Sequence, residues 1–158
     1  MSFFIEIFNE KVSIHEFDII NFPGGFAFGD DLGAGKVLAN KMKNKRMKSG
    51  KLYFDELQRF LADGKYIIGI CNGFQFLTKM GMLPNVNGSY EQEVTLTFND
   101  SGKFEDRWVT CSVINNCHTP FLDDIETLDM PVRHGEGKLV FKNDDVRVHV
   151  VQHSLNCL

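Results

Sequence analysis

No stretch of this chain approaches the roughly 20 consecutive apolar residues that a membrane-spanning helix needs. The apolar patch at its start is short and interrupted by Glu6 and Glu10, so neither a membrane anchor nor a secretory leader is expected. Positive charge is also in deficit. Seventeen Lys and Arg against 21 Asp and Glu leave a formal charge of -4, which removes the electrostatic case for nucleic acid or an anionic membrane as partner. The four cysteines, Cys71, Cys111, Cys117 and Cys157, contain no C-x-x-C pair. They give no reason to infer disulfides, and the cytoplasm is the expected compartment. Internal repeats and low-complexity tracts are missing too.

What remains is a chain of 158 residues, 43% hydrophobic, long enough to bury the core of one domain; residues 1–158 are read as that single domain. Phe3–Phe8 and Phe17–Phe22 are rich in aromatic and β-branched residues and read as strands. The second ends at Pro23-Gly24-Gly25, which opens a glycine-rich stretch reaching Gly35. Val37, Leu38 and Met42 fall at helical spacing. Lys41, Lys43, Lys45, Arg46, Lys48 and Lys51 form a basic patch, either a solvated face or a docking surface for an acidic partner. Phe54, Leu57, Phe60 and Leu61 mark an amphipathic helix over Tyr53–Ala62, stopped by Asp63-Gly64. A strand over Tyr66–Ile70 follows, then a helix over Gly73–Met80. Strand, helix, strand in this order predicts a parallel sheet with right-handed crossovers. Further on, Val94–Phe98, Arg107–Ile114 and Met130–Gly135 read as strands, and Asn143 caps a tail helix.

The residues that suggest chemistry lie at Ile70-Cys71-Asn72-Gly73. A cysteine between a parallel strand and a helix is exposed at the carboxyl edge of the sheet, beside a helix N-terminus that favours negative charge. The turn resembles the strained elbow on which many hydrolases mount a nucleophile, and Gly69 and Gly73 relieve the crowding around it. Cys111, Cys117 and Cys157 read instead as inert cysteines. Acyl transfer needs two separated amide donors for the oxyanion. The Asn72 amide supplies one, and a glycine amide of the Pro23-Gly24-Gly25 loop could supply the other.

Four motifs in order carry a resemblance. They are Pro23-Gly-Gly-Phe26 with Phe28-Gly-Asp-Asp-Leu-Gly-Ala-Gly35, then Gly69-Ile-Cys-Asn-Gly-Phe-Gln75, Phe104-Glu-Asp-Arg-Trp108 and His134-Gly-Glu-Gly137. The chain resembles the glutaminase component of phosphoribosylformylglycinamidine (FGAM) synthase, a class I (triad) glutamine amidotransferase of purine biosynthesis. The resemblance implies an α/β, flavodoxin-like, parallel-sheet three-layer sandwich. It makes Cys71 the nucleophile that forms a glutamyl thioester and releases ammonia. Gly25 and Asn72 would donate to the oxyanion, while Gln75, Gly24 and His134 would contact the glutamine. Implied partners are glutamine, the synthetase subunit and a small accessory subunit. No cofactor or metal belongs to this chain, since ATP and magnesium act on the synthetase.

Two departures from the family pattern set further expectations. The family completes its triad with a His-x-Glu pair beyond the His-Gly-Glu-Gly segment, and this sequence has no such pair there. His134 and Glu136 have the right spacing, but the family carries that segment in addition to the triad. His15 and His118 carry no signal for the role, and His149 and His153 read as a solvated helix face. Glutamine hydrolysis by this chain is therefore expected to be very weak or absent, a loss of about 10²–10⁴-fold. The family's first strand is missing as well, so the sheet is expected to be incomplete or rearranged, with Phe3–Phe8 pairing elsewhere or two chains associating or exchanging strands. A non-catalytic assembly module and a different elbow-cysteine hydrolase are the alternative readings.

Overall fold

The computed structural model describes residues 2–25, 36–114, 119–153 and 155. These divide into two compact units, Met1–Met80 and Gly81–Leu158.

The first unit is built on a parallel pair of strands, β1 (Ile19–Phe22) and β2 (Tyr66–Gly69), in register from Ile19 opposite Tyr66 to Phe22 opposite Gly69. Helix α1 spans Ser2–Phe8, α2 Lys36–Lys43, α3 Tyr53–Ala62 and α4 Asn72–Lys79. Helix α3 matches the sequence reading because its apolar residues recur on one face: Tyr53, Phe54, Leu57 and Phe60 are all buried. Asp55 and Glu56 sit in its first turn, where the helix dipole favours negative charge. Gly64, at φ +78°, turns the chain back toward β2. Lys65 then donates to the carbonyls of His15 (2.6 Å) and Phe17 (2.8 Å), fixing the approach to β1 against the start of β2. Glu56, buried beneath this junction, meets Arg59 at 2.7 Å and His15 at 3.2 Å, so its carboxylate is compensated.

Helix α4 seats on β1 through the rings of Phe22 and Phe76, whose centroids lie 4.7 Å apart. Burial of a ring such as Phe76 contributes about 1.5–3 kcal/mol. Two glycines permit the close approach. A Cβ at Gly73 would run into the Phe22 carbonyl, and one at Gly69 would stand 2.7 Å from Leu77 and 2.8 Å from the Gly73 backbone.

The expected strand at Phe3–Phe8 is instead the helix α1, and it pairs with no strand. Its apolar residues fit either period, as short runs do. Packing decides the outcome: Phe4 stacks on Phe8 one turn later (centroids 6.0 Å), Phe8 meets the edge of Tyr53 (5.3 Å), and Ile7 is buried. Among the described residues β1 and β2 form a sheet of two strands.

The second unit holds two antiparallel pairs. Strand β3 (Val94–Thr97) pairs with β6 (Lys138–Phe141), and β4 (Glu105–Ser112) with β5 (Thr127–His134). Helix α5 (Asp144–Gln152) is capped by Asn143, whose Oδ1 accepts the Val146 amide at 2.9 Å. It buries Val146 and Val150 on Val94 and Phe141. The β6 strand was not anticipated; the apolar residues Leu139-Val-Phe141 that form it follow directly on the Gly-rich segment.

The replacement Gly73→Ala is expected to cost the first unit about 3 kcal/mol or more, because a backbone carbonyl cannot move aside as a side chain does. Gly135→Ala meets its nearest neighbour at an ordinary 3.9 Å and should stay within about 0.5 kcal/mol. Urea titrations of the two variants that give equal midpoints would refute this assignment.

Candidate active site

Cys71 stands between β2 and α4 with φ 55° and ψ -114°, a conformation rarely adopted by a residue with a side chain. Such a residue costs about 1–3 kcal/mol and persists only where its surroundings over-determine it. Here they do. The Ile70 amide donates to the Phe22 carbonyl (3.0 Å), the Gly73 amide to Ile70 O (2.9 Å) and the Gln75 amide to Cys71 O (3.2 Å). The chain must therefore reverse at Cys71, and its thiol is exposed.

Gly24 faces that thiol. A Cβ at Gly24 would lie 3.0 Å from Cys71 Cβ and 3.6 Å from Sγ, so the chain after β1 approaches Cys71 closely only because Gly24 has no side chain. Gly25 follows at φ +121°. The Asn72 side chain reaches across and donates from Nδ2 to the Gly25 carbonyl at 2.5 Å. Among the described residues, no acceptor pairs with the backbone amides of Gly25 or Asn72. The structure thus brings Cys71, Gly24, Gly25 and Asn72 together, with Gln75 half-buried one turn into α4.

His134 belongs to the second unit and ends β5. It is organised by Asn99, which lies two residues beyond the end of β3. Asn99 donates to the carbonyls of His134 (2.8 Å) and Lys103 (3.0 Å), and its Oδ1 accepts from the Gly137 amide (3.0 Å) and faces His134 Nδ1 (3.0 Å). An oxygen that already accepts an N–H has no proton to offer, so Nδ1 carries the proton and Nε2 is the ring's other nitrogen. Gly137 must lack a side chain, since a Cβ there would enter the imidazole. Glu105, opposite His134 in the β-ladder, lines a cavity of about 310 Å³ with Asn99, Arg107, His134 and Lys138. A hydrogen bond from Ser101, assisted by the charges of Arg107, Lys103 and His134, holds its carboxyl below the usual range.

Other sequence candidates carry less. His149 and His153 stack on α5 with ring centroids 4.1 Å apart, and among the described residues no three potential ligands form a metal cluster. Cations of the basic patch are partly engaged at home: Lys43 donates to Met80 O (3.3 Å) and lies over the Phe54 ring, Lys45 lies over Phe8, and Arg46 donates to Gly50 O (2.8 Å). Cys111 is half-buried in β4. Residues 26–35, Cys117, His118 and Cys157 lie outside the described residues.

Cys71 is thus an exposed cysteine on a strained elbow, with Gly24 close against it and Gly25 tied to Asn72. The chain belongs to the family of CobB/CobQ-like glutamine amidotransferase domains, whose family model matches residues 1–158. Among individual relatives it is 47% identical over 135 residues to the phosphoribosylformylglycinamidine synthase subunit PurQ of Dehalococcoides mccartyi, covering 85% of this chain and 50% of that protein. It is 38% identical over 138 residues to the same subunit of Thermotoga maritima, covering 85% of this chain and 55% of that protein. In the solved structure of PurLQS from Thermotoga maritima, one chain superposes with a TM-score of 0.60 at 34% identity, covering 81% of this chain and 52% of that one. The chain thus takes the α/β fold of these amidotransferases and spans about half the length of the curated relatives it matches.

Asn99→Ala removes four side-chain hydrogen-bond contacts at once and is expected to destabilise the second unit by about 2–4 kcal/mol, at about 0.5–1.5 kcal/mol each. Hydrogen exchange at the Gly137 amide should quicken at least about tenfold; unchanged exchange there would show that Asn99 does not organise the segment.

Proposed function

We propose that this chain is the glutaminase part of an FGAM synthase, and that Cys71 attacks the side-chain carboxamide of glutamine. The observation that carries this reading is the juxtaposition of the exposed Cys71 thiol with the unpaired amides of Gly25 and Asn72. Sulfur bonds to the amide carbon, and the carbonyl oxygen, now negative, receives the two N–H groups. Collapse expels the nitrogen as ammonia after it takes up a proton, leaving a γ-glutamyl thioester. Water then hydrolyses the thioester to glutamate and restores the thiol. Gly24 keeps the approach to the sulfur open, and Gln75, one turn into α4, contacts the substrate. The ammonia is used by a synthetase partner in the cytoplasm, where ATP and magnesium act, with a small accessory subunit as a further component.

A chloromethyl ketone analogue of glutamine tests the reading without depending on turnover. One equivalent should add to Cys71, free glutamine should slow the addition, and Cys71→Ala should take up none. Addition that is indifferent to glutamine, or that falls equally on Cys111, would overturn the proposal.

A further inference from the structure

We infer that the side chain of Asn72 is a positioning residue for the oxyanion site. By clamping the Gly25 carbonyl it fixes the C-terminal side of Gly25, the residue whose own N–H, one peptide earlier, is one of the two donors beside the Cys71 thiol. The inference rests on the amide-cleaving reading above and adds to it a side chain whose action is exerted through the loop.

The loop needs a tether. Gly24 and Gly25 are both glycine, the residue whose backbone rotates most freely, and a Cβ at Gly25 would meet nothing within 4 Å among the described residues. Gly25 also holds φ +121°, one of several conformations open to glycine. Among the described residues the bond from Asn72 Nδ2 to Gly25 O, at 2.5 Å, is what ties it down. Its donor is well placed for the task. Asn72 is the first residue of α4, directly after the nucleophile, so the tether and the thiol share one rigid support.

A second observation points the same way. Asn72 Oδ1 is buried and has no hydrogen-bond partner among the described residues. Buried side-chain oxygens are normally satisfied, so this amide is oriented for what its nitrogen does at Gly25. Exchanging the two ends would set oxygen against the Gly25 carbonyl oxygen. The same residue therefore serves the oxyanion twice, through its own backbone N–H and, at one remove, through that of Gly25.

The test compares two reagents on Cys71. The glutamine chloromethyl ketone carries its oxygen where the oxyanion forms, whereas iodoacetamide reacts at a saturated carbon and uses no such donor. Asn72→Ser removes the reach without adding charge, and Asn72→Asp keeps the shape without the N–H. Both residues suit the start of a helix. In each variant the limiting rate of ketone addition should fall about tenfold or more relative to the iodoacetamide rate, since loss of one oxyanion donor costs about 10²–10³-fold, and half-saturation by the ketone should change little. Equal slowing of both reagents, or of neither, overturns the inference while leaving Cys71 as a glutamine-directed nucleophile. A wild-type protein that shows no glutamine protection overturns both. If neither variant folds, NMR of the wild type decides: a coupling across the bond from the Asn72 side-chain nitrogen to the Gly25 carbonyl carbon supports the clamp, and its absence refutes it.

Discussion

The Phe22 carbonyl fixes the geometry on which the first unit depends. It accepts the Ile70 amide at the end of β2, and the Cα of Gly73 rests against it at the start of α4. One backbone oxygen thereby binds the end of β1 to both sides of the turn between β2 and α4. With Ile70 and Gly73 pinned, the two residues between them have little choice of path, and Cys71 takes up φ 55°. The strain at Cys71 is a consequence of this close contact between elements, with Phe22 and Phe76 supplying the apolar burial that holds it.

This explains which features were legible in the sequence. The elbow was, because strain of this kind leaves glycines at the points of closest approach, and Gly24, Gly69 and Gly73 stand there. Helix α3 was legible because its buried apolar residues, Tyr53, Phe54, Leu57 and Phe60, sit on one face. The segment from Ser2 to Phe8 was not: seven residues offer too few repeats to separate a period of 2 from one of 3.6, and its fate is set by Tyr53, far along the chain. A local pattern cannot report a distant partner.

The two asparagines were hidden for a different reason. Asn72 and Asn99 each tie together segments distant in sequence, across 47 residues in one case and 35 in the other. In sequence both look like turn residues, which asparagine usually is. What sets them to work is the amide's pairing of a donor with an acceptor at a fixed separation, so that Asn99 can donate to the His134 carbonyl and accept from Gly137 simultaneously. A carboxylate of the same shape would lack the donating half.

The same chemistry accounts for where the first unit concentrates its unfavourable terms. Cys71 and Gly25 hold positive φ angles, and the one buried side-chain oxygen without a hydrogen-bond partner among the described residues belongs to Asn72, next to Cys71. Leu57, Phe60 and Met80, by contrast, are wholly buried, and Phe76 is nearly so. Substitutions in that core should weaken folding and reactivity together, because the elbow exists only while the core compels it. Changes at Asn72 should separate the two, since the tether it forms lies outside the core and acts on Gly25.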